Sequence, residues 1–352
     1  MEIAVAMSGG VDSSVAAAML VEAGHAVTGV TAKLWGGPAD AGCCSASDVD
    51  DARRVCDHLG IAHHVVNLSE AFEAEVVDHY VDAHRQGRTP NPCIECNRRI
   101  KFDLLLDRCR RLGFAKLATG HHARIRRGAR GAELRRGADP LKDQSYVLSM
   151  LGESTLDLLE LPVGELDKSA VRALAVALGL RTADKPDSQD VCFISTDAGR
   201  AGFLATRLDL HPAEVVEASS GEVLGTLPAV ELVTLGQRRG FGAGPDGERR
   251  YVVAVDVPAR RVEVAPLERA TSDRLDLERS TLTATGELLR DGQVLFAQVS
   301  AHGQAMPARF VDREGILAVV LETPARLVAP GQTVAFYDAA DPDLVLGSAV
   351  VA

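Results

Sequence analysis

The segment Ser8-Gly9-Gly10-Val11-Asp12-Ser13-Ser14 constrains this chain more than any other, because of what flanks it. Residues 3–7 are short and apolar, as a buried strand is. Residues 12–22 read as a helix that Gly24 stops. Two glycines let the backbone turn tightly and approach a ligand. The helix N-terminus aims free N–H groups and a positive dipole end at the same point. Ser8, Ser13 and Ser14 add hydroxyls. Together these features make an anion site rather than an ordinary turn. The segment lacks the Gly-Lys-Ser/Thr of a Walker A loop and the Gly-x-Gly-x-x-Gly of a dinucleotide site.

The alternation continues, with strands expected at 26–34, 63–68 and 116–119. Helices are expected at 47–59, 70–85 and 98–112, with Ser47 as N-cap of the first and Gly60 and Gly113 as stops. The fold class is therefore α/β, with a parallel sheet covered by helices on both faces. After about residue 200 helical periodicity fades. Short runs bounded by Gly, Pro and Asp appear at 231–235, 250–256, 261–264, 293–300, 308–311, 317–321 and 333–337. They predict small β-barrels or sandwiches. The chain divides into 1–204, 205–275 and 276–352.

A chain of 352 residues, 46% hydrophobic and 25% charged, is neither a disordered polymer nor a disulfide mini-scaffold. No run reaches 18 apolar residues, so no membrane span is expected. The start, Met1-Glu2-Ile3-Ala4-Val5, has no basic or long apolar leader, so a cytoplasmic location is expected. In that compartment seven cysteines read as thiols, metal ligands or catalytic groups. The net charge of −11 argues against a nucleic-acid partner. Its distribution does not: residues 98–136 hold thirteen Lys and Arg against three acids, a net +10, leaving −21 elsewhere. Such a window suits a polyanion site. From charge alone, two ordinary solvated faces explain it slightly better.

Two cysteine motifs follow. In Thr89-Pro90-Asn91-Pro92-Cys93-Ile94-Glu95-Cys96-Asn97 the prolines are expected to hold an extended loop that presents both thiols. The other is Asp187-Ser188-Gln189-Asp190-Val191-Cys192-Phe193-Ile194. A lone Cys-x-x-Cys fits half a zinc site, a redox pair or chance; with no second pair or His-x-His partner nearby, a closed structural zinc site is disfavoured. Cys56 and Cys109 fall inside expected helices and read as small buried hydrophobes. Cys43, Cys44, His63, His64 and Trp35 read as packing or loop residues.

Residues 8–13 resemble the PP-loop of the ATP pyrophosphatases, which grips the pyrophosphate of ATP so that AMP passes to an oxygen. Further matches are Ala118-Thr119-Gly120-His121-His122-Ala123-Arg124 and Lys142-Asp143-Gln144-Ser145-Tyr146. Thr234-Leu235-Gly236-Gln237-Arg238-Arg239-Gly240 and Gly331-Gln332, ahead of Val334 and Phe336-Tyr337-Asp338, complete them. With the cysteine motifs, nearly the whole chain resembles the tRNA-specific 2-thiouridylases. The resemblance implies a PP-loop domain of the adenine nucleotide alpha hydrolase kind, then two small β-rich domains, the last a β-barrel. It implies ATP and Mg²⁺ as cofactors, tRNA as substrate, and a persulfide donor protein or cysteine desulfurase as partner.

By the same resemblance Ala6, Met7, Ser8, Gly9, Gly10, Val11, Asp12, Ser13, Ala32 and Gly120 bind ATP, with Asp12 the Mg²⁺-associated carboxylate. Asn91, Pro92, Cys93, His121, Lys142, Asp143, Gln144 and Gln332 meet tRNA or its target base. ATP adenylates the C2 oxygen of the wobble uridine. Cys192 carries the persulfide sulfur, and Cys96 forms a disulfide with Cys192 as sulfur is delivered.

Two departures stand out. Some relatives have Asp at the position of Cys93, so three cysteines share one expected pocket. As an alternative, Cys93, Cys96 and Cys192 would ligate a 4Fe-4S cluster that carries sulfide. Val299-Ser300-Ala301-His302-Gly303 stands where the family shows a basic-aromatic tRNA contact, which shifts phosphate binding onto the +10 window. Two other functions compete. A PP-loop amidotransferase or ligase acting on a small metabolite would not need Cys96 and Cys192. A non-catalytic tRNA-binding iron–sulfur module would not need Asp12.

Overall fold

The computed structural model of the chain describes residues 1–34, 45–128, 131–187, 191–195, 197–244, 247–284 and 289–352. Trp35, Cys43, Cys44, Arg130, Ser188, Gln189 and Asp190 lie outside the described residues. Strand β1 (Glu2–Ala6) leads into α1 (Val11–Glu22), β2 (Ala26–Lys33), α2 (Ala46–Leu59) and β3 (Ala62–Asn67). Ile3 and Val5 enter one apolar cluster and Ala4 the opposite one, the alternation of a strand covered on both faces. β4 (Lys116–Ala118) follows, then the hairpin of β5 (Ala123–Gly128) and β6 (Gly131–Arg136), then β7 (Leu159–Glu160). The sheet runs β3-β2-β1-β4-β7, every pair parallel. β2 lies on one side of β1 and β4 on the other, so a crevice opens where β1 and β4 end.

Two helices differ from expectation. The N-cap of α2 is Ser45, not Ser47: Ser45 Oγ accepts from Asp48 N–H at 3.2 Å, and Asp48 accepts from Ser45 N–H at 3.1 Å. The helix expected at 98 begins at Pro92. The Asn91 side chain accepts from the N–H groups of Cys93 and Ile94, and Pro92 takes the first helical position, where its missing N–H costs nothing. Cys93 and Cys96 therefore stand on a helical turn, not in an extended loop. This 92–111 helix and its neighbour at 69–85 widen into π-type hydrogen bonding over Cys96–Leu105 and Glu73–Val77.

The middle of the chain forms β8 (Ala213–Glu217), β9 (Val223–Leu227), β10 (Tyr251–Asp256) and β11 (Arg261–Ala265), in the order β10-β11-β8-β9. The strand expected at 231–235 is instead a 3₁₀ turn, Val230–Leu232. Val230 and Val233, three apart, both enter the core, a spacing that suits such a turn. The last strands are β12 (Thr271–Ala284), β13 (Val294–Gln298), β14 (Met306–Arg313), β15 (Ile316–Arg326), β16 (Thr333–Asp338) and β17 (Val345–Val351). They close a barrel in the order β12-β15-β14-β13-β16-β17 around Leu295, Phe310, Val319 and Phe336. The division set at 275 falls inside β12. The barrel is tied to the first sheet's surroundings by Tyr146 Oη donating to Thr333 O at 2.9 Å and Thr89 N–H donating to Pro330 O at 2.8 Å. Among the described residues no helix is long and apolar enough to cross a membrane.

Candidate active site

The loop between β1 and α1 is held from three sides. Gly9 has φ +73°, and a Cβ there would lie 2.4 Å from Asp48 O at the start of α2. A Cβ on Gly120, just past β4, would lie 2.5 Å from Ser13 N. Both positions need glycine because neighbouring backbone fills the space. Lys185 reaches in from the third side: its ammonium donates to Gly9 O at 3.0 Å and pairs with Asp48 at 2.6 Å and Asp51 at 2.8 Å. Burial favours the neutral amine, but those two carboxylates hold its pKa above the ordinary lysine value. No side chain caps α1. Ser13 and Ser14 direct their hydroxyls to Gly10 O at 3.2 and 2.8 Å. The first-turn N–H groups of α1 are thus left to meet an anion. Of the other expected ATP residues, Ala6 ends β1, Met7 bonds Val30 O, and Ala32 lies near the end of β2, paired with Val66.

Asp12 anchors a chain of charges. Lys168 donates to both its oxygens at 2.7 and 2.8 Å, and His122 Nε2 donates to Oδ1 at 3.0 Å. Burial would raise the Asp12 pKa, but the hydrogen bonds and charges of His122 and Lys168 hold it below the usual range, so Asp12 is ionised. Lys168 also pairs with Asp187 at 2.8 Å, which in turn takes Lys142 at 2.7 Å and Arg172 at 3.0 Å. Burial again opposes ionisation at Asp187, yet Lys142 and Lys168 bring its pKa down to about 2. Asp187 lies five residues before Cys192, so one lysine joins the loop after β1 to the segment that carries that cysteine.

Lys168 and Lys185 were not singled out in the sequence. A signal existed for Lys168: it opens the helix Lys168–Ala177, where the dipole disfavours a cation. A lysine there spends its charge elsewhere.

Cys96 is buried and Cys93 exposed. Cys96 and the half-buried Cys192 belong to one apolar cluster with Phe72, Tyr80 and Phe193. Phe193 packs edge-on against Phe72 at 5.8 Å and Tyr80 at 5.5 Å, and lies 5.1 Å from Phe203. Among the described residues no group of three or more His, Cys, Asp or Glu is placed to hold a metal ion. Cys56 and Cys109 are buried as expected, and burial pushes both thiols up to about 11.

The residues expected to meet tRNA separate into two sets. Asn91, Pro92 and Cys93 open the 92–111 helix, and Gln332 of the barrel donates to Thr89 O just before them. His121 lies past β4, with Nδ1 2.7 Å from Thr119 Oγ1 and its ring 5.7 Å from that of Phe102. Burial and the nearby Lys101 keep its imidazole neutral. In the second set each side chain already has a protein partner. Lys142 holds Asp187. Asp143 accepts from Arg136, from the N–H groups of Gly137 and Ser145, and from Ser145 Oγ. Gln144 Oε1 accepts from His122 N–H at 2.8 Å. Ser145 Oγ lies 3.1 Å from Tyr337 Oη. This short stretch splices the charge chain, His122 and the barrel together.

The basic window is also heavily paired: Arg98 with Glu95, Arg99 with Glu75 and Glu95, Arg124 with Asp343, Arg127 with Glu160, Arg135 with Asp341 and Arg136 with Asp143. Acids from outside the window neutralise much of its +10.

Comparison with known proteins agrees with this geometry. Residues 1–196 match a family described as the tRNA methyl transferase HUP domain, 201–266 its PRC-barrel domain, and 283–351 the aminomethyltransferase beta-barrel domain. Proteins called tRNA-specific 2-thiouridylase MnmA match end to end. The one from Mycolicibacterium vanbaalenii is 44% identical over 100% of this chain and 99% of its own. Those from Acidothermus cellulolyticus and Salinispora arenicola are 45% and 44% identical, over 100% and 99% of this chain and 98% of each relative. The chain belongs to the tRNA-specific 2-thiouridylase family.

Proposed function

We propose that this protein is an ATP-dependent sulfurtransferase that converts the C2 oxygen of a tRNA wobble uridine to sulfur. The observation that carries the reading is the charge chain Asp12–Lys168–Asp187, which joins an anion-binding loop to the cysteine segment in a chain of this family. The N–H groups at the start of α1, with Ser8 and Ser13, receive the pyrophosphate of ATP, which leaves the α-phosphate facing the crevice. The uridine C2 oxygen attacks that phosphorus, and pyrophosphate leaves. Adenylation turns an oxygen that cannot depart into one that can.

The terminal sulfur of a Cys192 persulfide then attacks C2. The Cys96 thiolate attacks Cys192 Sγ, which forms the Cys96–Cys192 disulfide and leaves the sulfur on C2. The carbon–sulfur double bond forms as AMP departs. A thiol reductant then reopens the disulfide, and a persulfide donor protein reloads Cys192. Asp12, ionised and half-exposed, would hold Mg²⁺ together with the phosphates, and the ion would neutralise their charge. Lys168 is placed to move from Asp12 toward the phosphates. Asn91, Cys93, His121 and Gln332 position the target base; Lys142, Asp143 and Gln144 act by holding Asp187, Arg136 and His122. A cytoplasmic setting supplies both tRNA and reduced thiols.

Mass spectrometry of nucleosides from unmodified tRNA incubated with Mg-ATP and a persulfide donor tests this. The expected product carries sulfur for oxygen at the wobble uridine, requires ATP, and is lost in Cys192→Ser while pyrophosphate release continues. Full thiolation by the Cys192→Ser, Cys96→Ser double variant would overturn the mechanism.

A further inference from the structure

Four arginines from three parts of the chain line one cavity of about 480 Å³: Arg200 of the helix Gly199–Ala205, Arg238 and Arg239 of the turn after Gly236-Gln237, and Arg326 at the end of β15. The turn is rigidly placed. Gly236, at φ +76°, comes so close to the barrel that a Cβ would lie 2.6 Å from Leu327 O. Gln237 braces it, accepting from Thr234 N–H at 3.1 Å and donating to Arg239 O at 2.9 Å. Arg200 is aimed by a 2.8 Å bond to Leu232 O, and the Arg326 guanidinium lies 5.5 Å from the Tyr251 ring centroid. Among the described residues none of the four pairs with a carboxylate, whereas most arginines of the 98–136 window do. Four like charges gathered in a protein of net charge −11 are stabilised by an anion, and guanidinium forks match phosphate oxygens two at a time.

We infer that this cavity is a subsite for backbone phosphates of the RNA substrate, an inference that rests on the sulfurtransferase reading above. Its position supports a phosphodiester rather than a free anion. Thr234, two residues before Gly236, lies with its Oγ1 3.4 Å from Thr89 Oγ1, ahead of the Cys93 and Cys96 turn. Arg200 stands eight residues past Cys192. A strand held here runs beside the segments that carry both cysteines.

The test measures tRNA affinity against salt for the wild type, an Arg238→Ala, Arg239→Ala double variant, the corresponding double Lys variant, and Arg326→Gln. Binding of ATP and of inorganic pyrophosphate is measured in parallel. The Ala pair is expected to weaken tRNA binding about tenfold or more and to flatten the log–log salt slope by about 2, roughly one per lost phosphate contact. ATP and pyrophosphate binding stay at wild-type levels. The Lys pair restores the slope and only part of the affinity, because a point charge replaces the fork. Arg326→Gln carries the test alone if the Ala pair does not fold, and flattens the slope by about 1. Unchanged tRNA affinity and slope in folded variants overturns the inference, as does a loss confined to pyrophosphate. Wild-type protein that binds tRNA through these arginines yet never thiolates it would sink the sulfurtransferase reading and leave the subsite standing.

Discussion

The loop after β1 and the surroundings of the cysteines are built from opposite materials. Around Asp12 the chain places Lys168, Asp187, Lys142 and Arg172 in an unbroken series of ion pairs. In the apolar cluster that also takes Cys96 and Cys192 it places Phe72, Tyr80 and Phe193, with Phe193 packed edge to face on the other two rings. The first region is set by direction: each charge has a partner within about 3 Å, and a new anion must rearrange them. The second is set by shape, and keeps water from the buried Cys96. A reaction that begins with a polyanion and ends with a sulfur transfer needs both, and Asp187, which closes the charge chain, stands five residues before Cys192 in the sequence. Changes in the apolar region should therefore appear chiefly as lost stability, and changes in the charged region as lost rate.

The strongest test of that contrast is Phe193→Ala. Phe193 is 5% exposed and touches three rings. Truncation of a buried Phe costs about 3–5 kcal/mol through lost transfer energy and the cavity left behind. Denaturant unfolding should show that loss, with pyrophosphate release per folded molecule near wild type. A loss below about 1 kcal/mol would mean that the cluster is not packed as described.

Lys168→Met should show the reverse. The methionine fills the same space, so the fold survives, but Asp12 and Asp187 lose their shared cation. Removal of one preorganised charge from a developing phosphate charge costs about 10²–10³ in rate. Single-turnover pyrophosphate release is the measurement. A rate within threefold of wild type, with normal unfolding, would show that Lys168 only braces Asp12.

How much of this was legible follows from the kinds of interaction involved. The loop after β1 was readable because Ser, Gly and a following helix act locally, within a few residues. The alternation of strands and helices was readable for the same reason, and so was the burial of Cys56 and Cys109. The Asp12–Lys168 pair spans 156 residues in sequence, and no local pattern announces it. The start of the cysteine helix escapes a local reading because Pro90 and Pro92 read as holding an extended loop; Asn91 as cap makes Pro92 a first-turn proline. The basic window misled because charge counted along the chain ignores partners such as Asp341 and Asp343, brought in by the barrel. The Gly236–Gly240 stretch was matched by resemblance, but its gathering with Arg200 and Arg326 exists only once a short helix, this turn and the end of β15 meet.

The finest test reads the apolar region by pH. His84 lies behind the aromatic cluster, 1% exposed, its ring 4.6 Å from that of Tyr80. Nδ1 donates to Glu231 O at 3.1 Å, and Nε2 is buried with no hydrogen-bond partner. A proton on Nε2 would create a buried cation that nothing accepts, near the positive Arg200. Burial, then Arg200, therefore lowers the pKa to about 4, although the bond to Glu231 O works the other way. In the unfolded chain the imidazole titrates near 6.5. Between those values the unfolded state binds the proton and the folded state does not. The stabilisation from a neutral His84 is thus complete above pH 6.5 and is lost as pH falls toward 4. The shift corresponds to a loss of about 3 kcal/mol across that window. His84→Gln should be less stable than wild type at pH 7, having lost the imidazole's fit, yet decline less steeply between pH 6.5 and 4. Equal slopes for the two proteins in urea unfolding across that range would show that another group governs the acid response, and that the apolar region does not depend on an uncharged imidazole at its back.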